Sequence, residues 1–565
     1  MEYLLSFLNP TSHFIHIKFI INSPEKGDIY LAIPTWRPGR YEAANFAKNI
    51  RGFNIHDEAG NPVLYRKVNH STWKVNNQTS ESLIVSYDYF AYKMDAGNSW
   101  FDDQLIYINF INCLVYVKNR QTEKCTLTID VPNDYRISCG LKSEDNTIFA
   151  KDYYQLVDSP LIASADLQHH SYRVFEMDFH VWIIGNHTLN INKLLDDFRL
   201  FSEFQVSVMA SFPDDTYHFQ IILLPYKFYH GVEHHNSTVI CLGPGETLNT
   251  DDLYGQLLGV SSHELFHAWN IIKIRPKELM PYNFNEDVFF PTGYVAEGFT
   301  TYYGDLFLVK SKVYDKAWYY NELNTLFKRH FLNDGRLNYS VIDSSLDLWL
   351  DGYTPGIPHR KSSIYVEGAV VALMLDLMIR KKFGSRKSLD DVMRALWKDF
   401  GQPGIGYSHQ DIVSVCETVY EESLRTFFAD FVEGTKANEY SLNELLFDFG
   451  CELVETESES ILERHFGVKV LSQNEQHFVS QTALNSIGEN YFSINDEILA
   501  VNDKMPSPDH LDNGAAVRFR IKRNQQDITF SLTPSKETYF KTFRIREIEN
   551  MSESQQEHLN HWLGK

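Results

Sequence analysis

Two histidines separated by three residues, with a glutamate beside the first, are the sharpest chemical feature of the sequence: His263-Glu264-Leu265-Phe266-His267. On a helix, i, i+4 spacing puts both imidazoles on one face, one turn apart, where they can share a metal ion. Glu264 then stands beside the first ligand, placed to take a proton from water at that metal. A catalytic zinc site takes three protein ligands and keeps one position open. An H-x-x-G-x-x-H run would supply the third ligand, but Asn270 and Lys273 occupy the positions that Gly and His would need. That arrangement is excluded. Among the downstream acids, Glu297 stands out, because Gly298 and the helical run from Phe299 to Leu306 follow it. Glu278 and Glu286 lie among Pro276, Pro281 and Asn283 and read as solvated loop acids. Asp305, on about the same helical face as Glu297, reads either as a residue holding a ligand histidine or as a surface acid.

These residues need a scaffold, and the periodicity of the chain outlines one. The first ~165 residues alternate with period two, as in Ile15, Ile17, Phe19 and Ile21, and predict strands. Further strand-like runs cover 28–33, 83–92, 105–117 and 125–131. From about residue 170 the period changes. A strand-like run at 217–225 precedes helical patterns at 253–270, 297–313, 318–331, 365–383, 389–400, 411–420 and 424–432. Ser388 and Ser408 provide start signals for two of these helices. The acidic, serine-rich stretch 455–460 reads as a solvated connector. Short strand patterns return after it, and Ser552-Glu-Ser-Gln555 opens a capped terminal helix.

The expected architecture is multidomain α+β. It comprises an N-terminal antiparallel β-sandwich-like domain (1–168), a mainly helical catalytic domain (169–452), a smaller β-domain (460–545) and a C-terminal helix (546–565). The 565-residue chain carries 52 basic and 74 acidic side chains, a net charge of −22. That balance disfavours nucleic acid or an anionic membrane as the main partner. Six scattered cysteines, without a C-x-x-C pair, read as reduced buried thiols. With no leader-like N-terminus and no long apolar run, the expectation is a soluble, cytoplasmic protein without membrane spans. Oligomeric state is left open.

Three segments together carry a family likeness. His263-Glu-Leu-Phe-His-Ala-Trp-Asn270, Lys273-Ile-Arg-Pro276 and Ala296-Glu-Gly-Phe-Thr-Thr-Tyr-Tyr303 resemble the glycyl aminopeptidase family of zinc metallopeptidases of the gluzincin type, which carry a C-terminal PDZ domain. Glu297 lies 30 positions beyond His267, similar to that family. Pro34-Thr-Trp-Arg-Pro-Gly-Arg-Tyr41 resembles its N-terminal β-domain signature, and Ser493-Ile-Asn-Asp-Glu-Ile-Leu-Ala-Val-Asn502 resembles a PDZ strand. The likeness implies a thermolysin-like catalytic domain and one Zn2+ per chain on His263, His267 and Glu297.

It also implies two further roles. Gly231-Val-Glu-His-His235 resembles the segment through which zinc aminopeptidases hold a substrate's free α-amine, which makes Glu233 the substrate-binding carboxylate. A rival reading makes His234 and His235 metal ligands. Ser363-Ile-Tyr-Val-Glu-Gly368 resembles the segment whose Tyr hydroxyl meets the developing oxyanion, which points to Tyr365. Glu367, however, stands where that segment commonly has Lys. In the PDZ-like unit, the loop Arg464-His-Phe-Gly-Val468 has one glycine only, so docking onto the catalytic domain rivals capture of a chain terminus.

The expected activity is removal of N-terminal Gly or Ala from peptides with a free N-terminus, with Glu264 as general base. The alternatives are a zinc endopeptidase of broad specificity, or a catalytically weak protein that binds peptides through the PDZ-like module.

Overall fold

The computed structural model describes residues 1–78, 81–354, 356–504 and 516–564. In the N-terminal region, alternation of apolar and polar residues builds a seven-stranded sheet. At its centre Glu2–Ser6 pairs antiparallel with Phe14–Ile21 and parallel with Cys125–Asp130. Ile15, Ile17, Phe19 and Ile21 all point inward and are fully buried. Two four-stranded sheets complete the region, one around Gly27–Ala32 and Thr72–Asn77, the other around Leu161–Ser164 and Ile106–Ile108.

The run 105–117, read from sequence as one strand, is broken. Strand Ile106–Ile108 gives way to a helical turn, Phe110–Cys113, before the short strand Tyr116–Val117. Two buried asparagines explain the break, because a buried amide must find partners. Asn109 Nδ2 donates to Ala96 O (3.1 Å), and Asn112 Nδ2 donates to Gly97 O (3.3 Å). They spend their hydrogen bonds holding a neighbouring loop.

The central region is built on a five-stranded mixed sheet in the order Gln168–Val174, Met177–Ile184, Thr216–Leu223, Ser237–Gly243 and Phe228–His234. Only the third of these carried a clear signal in the sequence. In Met177–Ile184, Phe179, Val181 and Ile183 are buried while His180 and Trp182 alternate with them. Aromatic and imidazole side chains there mask the period. Helix Ile191–Met209, started by the Asn190 side chain accepting from Lys193 N, packs over this sheet and was not anticipated.

Three helices follow that matter for the site: Asp251–Phe266, Thr300–Lys310 and Ile364–Phe383. A π-helical turn, Tyr294–Phe299, runs directly into the second. The stretch expected as a solvated connector is half strand: Cys451–Thr456 pairs antiparallel with Thr542–Glu547. Its partner lies some ninety residues onward, so nothing local betrays it. Between these two strands the chain forms a five-stranded antiparallel sheet, Val468–Gln473 to Gln526–Leu532, around a core of its own with Phe466, Phe492 and Phe519. Helix Glu553–Leu563, with a capping box at Ser552, then returns to the central region, where Trp562 Nε1 donates to Tyr302 OH (3.2 Å). Among the described residues no helix is long and apolar enough to cross a membrane.

Candidate metal centre and active site

His263 and Glu264 lie in the last turn of helix Asp251–Phe266, and His267 caps it. The two Nε2 atoms are 3.0 Å apart. Glu297 sits in the π-helical turn and brings Oε2 to 3.4 Å from His267 Nε2 and 3.8 Å from His263 Nε2. The wider turn belongs to a type of helix defect found mostly at functional sites. Asn270 ties the two elements together. Its carbonyl lies 2.9 Å from His267 Nδ1, while its amide donates to Val295 O (2.8 Å) and Thr300 Oγ1 (3.0 Å). The first contact fixes the ring so that Nε2 faces Glu297.

Close helix packing completes the frame. A Cβ on Gly304 would lie 3.1 Å from the Cβ of His263, and Ser262 Oγ donates to Gly304 O (2.7 Å). Where the Glu297 turn crosses helix Ile364–Phe383, glycine faces glycine: a Cβ on Gly298 would sit 2.3 Å from Gly368 Cα. That crossing brings Tyr365, in the first turn of the long helix, into the field of Glu297.

Glu233 arrives from the edge strand Phe228–His234. Alternation points Gly231 and Glu233 to one face and His230, Val232 and His234 to the other. A ligand atom from each of Glu233, Glu264 and His267 falls within 4.8 Å of the others, as do those of His263, His267 and Glu297. Three carboxylates and two imidazoles therefore converge. Glu264 and Glu297 are 5% and 3% exposed, and Glu264 Oε2 has no hydrogen-bond partner.

Burial and mutual repulsion set the protonation. Burial raises the Glu264 carboxyl well above the usual range; His267 opposes this, and Glu233 and Glu297 add to it. Glu233 is raised by burial and by Glu297. Burial and His267 push His263 far down, which keeps it neutral. At His267 burial works downward, yet Glu297, Glu233 and Glu264 together lift it to about 10. Burial raises the Tyr365 phenol, and Glu297, Tyr353 and Glu233 raise it further.

The donor set suits zinc. Two ligand atoms 2.0–2.1 Å from one tetrahedral ion sit about 3.3 Å from each other, and the three spacings here run from 3.0 to 3.8 Å. Three buried carboxylates that raise one another's proton affinity and lift His267 would also gain from a cation among them.

Several residues find other places. His234 Nδ1 lies 3.0 Å from Asp158 Oδ1, and His235 lies near Asp214 and Lys273. Neither joins the cluster, because alternation turns His234 away and His235 is already in the hairpin turn. Glu367 faces away too, with Oε2 2.9 Å from His330 Nδ1, since two residues along a helix is about 200° round its axis. Asp305 makes no hydrogen bond to either histidine among the described residues. It is no plain surface acid either: burial, with Glu322, raises it to about 8.

The sequence reading missed the contribution of the N-terminal region. Arg37-Pro38-Gly39-Arg40 is a turn closed by Arg40 N donating to Arg37 O (3.3 Å), with Gly39 at φ +76°. Pro followed by Gly at positive φ is the type II pattern; neither it nor the family likeness of 34–41 tied this stretch to the cleft. The turn reaches the cleft: a Cβ on Gly39 would meet Glu233 Oε2 at 2.8 Å. Tyr41 N donates to Tyr353 OH (3.0 Å), so Tyr353 closes the same side. Nothing in the sequence marked Tyr353.

Parts of the chain resemble known families, and the whole resembles known structures. Residues 2–165 match the family model of the peptidase M61 N-terminal domain, and residues 256–371 that of M61 glycyl aminopeptidase. No curated protein sequence matches the chain. The crystal structure of an aminopeptidase N family protein from Idiomarina loihiensis is similar over 100% of both chains, with a TM-score of 0.91 at 22% identity. An M1 zinc metallopeptidase from Deinococcus radiodurans covers 77% of this chain and 93% of its own, with a TM-score of 0.47 at 14% identity. A mutant of it bound to a Tyr-Ser-Ala substrate covers 77% and 94%, with a TM-score of 0.46 at 14% identity. The full-length likeness to the Idiomarina protein shows the fold of the whole chain. The two matched segments are similar to domains of M61 peptidases, which supports a peptidase.

Proposed function

We propose that the protein is a zinc-dependent aminopeptidase acting on peptides with a free N-terminus, with Gly or Ala preferred at that position. One observation carries the reading: three buried carboxylates, Glu233, Glu264 and Glu297, meet two imidazoles in a single cleft, and cations placed there would relieve their mutual repulsion. A metal ion and a substrate ammonium are the pair that fits.

His263, His267 and Glu297 would hold the zinc. When bound, zinc polarises a carbonyl and makes water acidic enough to lose a proton near neutral pH. Glu264 takes that proton and passes it to the leaving amine; its raised affinity for protons suits both halves of the transfer. Glu233 accepts hydrogen bonds from the substrate's α-ammonium, and the Gly39 turn closes over it. Tyr365 donates its hydroxyl to the oxygen that gains charge during attack. The preference for small residues draws on the M61 glycyl aminopeptidase match.

The segment 460–545 we take as a PDZ-like unit docked on the catalytic region. His359 Nε2, 2.8 Å from Thr482 O, is one of its contacts. In its candidate loop the N–H groups of Arg464 and Gly467 already donate to Ser460 O and Glu463 O, which leaves fewer donors for a terminal carboxylate.

A panel of Gly-, Ala- and Leu-initiated peptides, each free and N-acetylated, tests the reading. Free Gly and Ala peptides are cut fastest, and acetylation abolishes cleavage. Equal rates on acetylated and free peptides overturn the aminopeptidase reading and leave an endopeptidase.

A further inference from the structure

The cleft carries one buried cation opposite its carboxylates. Arg37 is 4% exposed, and among the described residues its guanidinium makes one hydrogen bond, from Nη1 to Pro38 O (3.0 Å). No carboxylate lies within 4 Å of its guanidinium among the described residues. A guanidinium has five N–H donors, and a buried charge left without a counter-charge is costly. The site around it is built to hold that charge in place. A Cβ on Gly97 would lie 2.1 Å from Arg37 Nη2, so the guanidinium occupies space that any larger residue at 97 would contest. The loop beneath is braced by Asn109 and Asn112, whose amides donate to Ala96 O and Gly97 O. Asp95, the acid of that loop, is already engaged by Gly97 N (2.9 Å), the Asn98 amide and Lys93.

Arg37 lines a pocket of about 300 Å³ shared with Arg40, Lys48 and Lys93. Glu42, paired with Arg40, is the one acid lining it among the described residues. Four cations around one pocket are out of character for a chain of net charge −22.

Direction along the edge strand says what reaches this pocket. Glu233 marks the substrate's amine, and Gly231, two residues back, faces Glu264 at the bond to be cut. One residue further back, His230 turns to the other face, where its Nδ1 accepts from Ala96 N (3.3 Å), so the edge strand runs past the Ala96–Gly97 loop against which Arg37 packs. Three strand residues span about 10 Å, close to the length of an extended tripeptide from amine to carboxylate.

We propose that Arg37 and the cationic pocket behind it form an anion subsite for a carboxylate carried by the peptide beyond the scissile bond, so that tripeptide-length or acidic peptides are the substrate class. The carboxylate is either the C-terminus of a short peptide or an acidic side chain near the cut. The inference rests on the aminopeptidase reading and adds the far end of the substrate to it.

Binding is measured on the zinc-loaded full-length Glu264→Gln variant, which separates affinity from turnover. The probes are Gly-Ala-Ala and its C-terminal amide, then Gly-Asp-Ala-amide and Gly-Asn-Ala-amide. A carboxylate contributes about tenfold or more in Kd in at least one pair, from charge-assisted hydrogen bonds. Which pair shows it identifies the source. In the Glu264→Gln, Arg37→Met double variant the ratio falls to about one, and Arg37→Lys restores part of it.

Equal Kd values within both pairs overturn the subsite, as does a preference that survives Arg37→Met. If Arg37→Met does not fold, Arg37→Lys decides: a carboxylate preference that drops supports the subsite, and one that stays at the wild-type ratio overturns it. Wild-type enzyme that cuts none of these peptides while the binding preference holds would sink the aminopeptidase reading and leave the subsite standing.

Discussion

Gly231→Ala isolates the positioning of Glu264. An added Cβ would lie 2.3 Å from Glu264 Oε1 and 2.7 Å from Val260 Cγ2, where ordinary contact begins at 3.4 Å. Val260 stands one helical turn before Glu264, so the methyl cannot be accommodated on that side. The carboxylate has to move by about 1 Å, and a displacement of that size costs on the order of 100-fold in rate, or about 2.7 kcal/mol of barrier. The three nearest atoms to the new methyl belong to Glu264 and Val260, so zinc binding is unaffected. The assay is kcat and KM on a glycyl fluorogenic substrate, with zinc content and a thermal melt on the same preparation. Gly255→Ala is the control, two helical turns before the site on the same helix: its Cβ would meet Trp318 Nε1 at an ordinary 3.5 Å, so kcat stays as it is. A folded, zinc-loaded Gly231→Ala enzyme with wild-type kcat would refute the reasoning, because the base would then tolerate displacement.

Three further outcomes follow from the same geometry. Glu233→Gln lowers kcat/KM for free-amine peptides by about 100-fold or more while zinc content stays unchanged, because a buried ammonium loses its counter-charge; steady-state kinetics with metal analysis checks this. Gly298→Ala drives a methyl into Gly368 Cα and destabilises the fold by about 1–3 kcal/mol or more, read by denaturant unfolding. Asp305 supplies a pH test. Its folded carboxyl titrates at about 8 against 3.8 for the ordinary group, so the folded state binds the extra proton and stability falls as pH rises from about 4 to about 8. Asp305→Asn raises the melting temperature at pH 8 to 9 and leaves it nearly unchanged at pH 4; an equal shift at both ends contradicts the assignment.

What was legible in the sequence was what local spacing encodes. His263, Glu264 and His267 declare themselves within five residues, and Glu297 by the glycine and helical run behind it. Glu233 and Tyr365 drew on family likeness rather than on any period. Residues that depend on long-range assembly stayed hidden. Arg37 and Gly39 come from a turn nearly 200 residues before Glu233, and Tyr353 closes onto Tyr41 across more than 300. Asn270 was noticed only as the wrong residue for a ligand. Its use, latching the His267 ring to the Glu297 turn, needs both helices in place. The pairing of Cys451–Thr456 with Thr542–Glu547 failed to show for the same reason, and an acidic composition made a strand look like a solvated link.

The most direct test of the central claim is a zinc titration of the chelator-stripped enzyme and of Glu264→Gln in parallel, with bound metal and glycyl peptide hydrolysis measured on each sample. The account predicts that both proteins bind one zinc per chain, that wild-type activity rises in proportion until that equivalent is reached, and that Glu264→Gln stays lower by several orders of magnitude. Full activity in the stripped wild-type enzyme, or wild-type turnover by zinc-loaded Glu264→Gln, would contradict it.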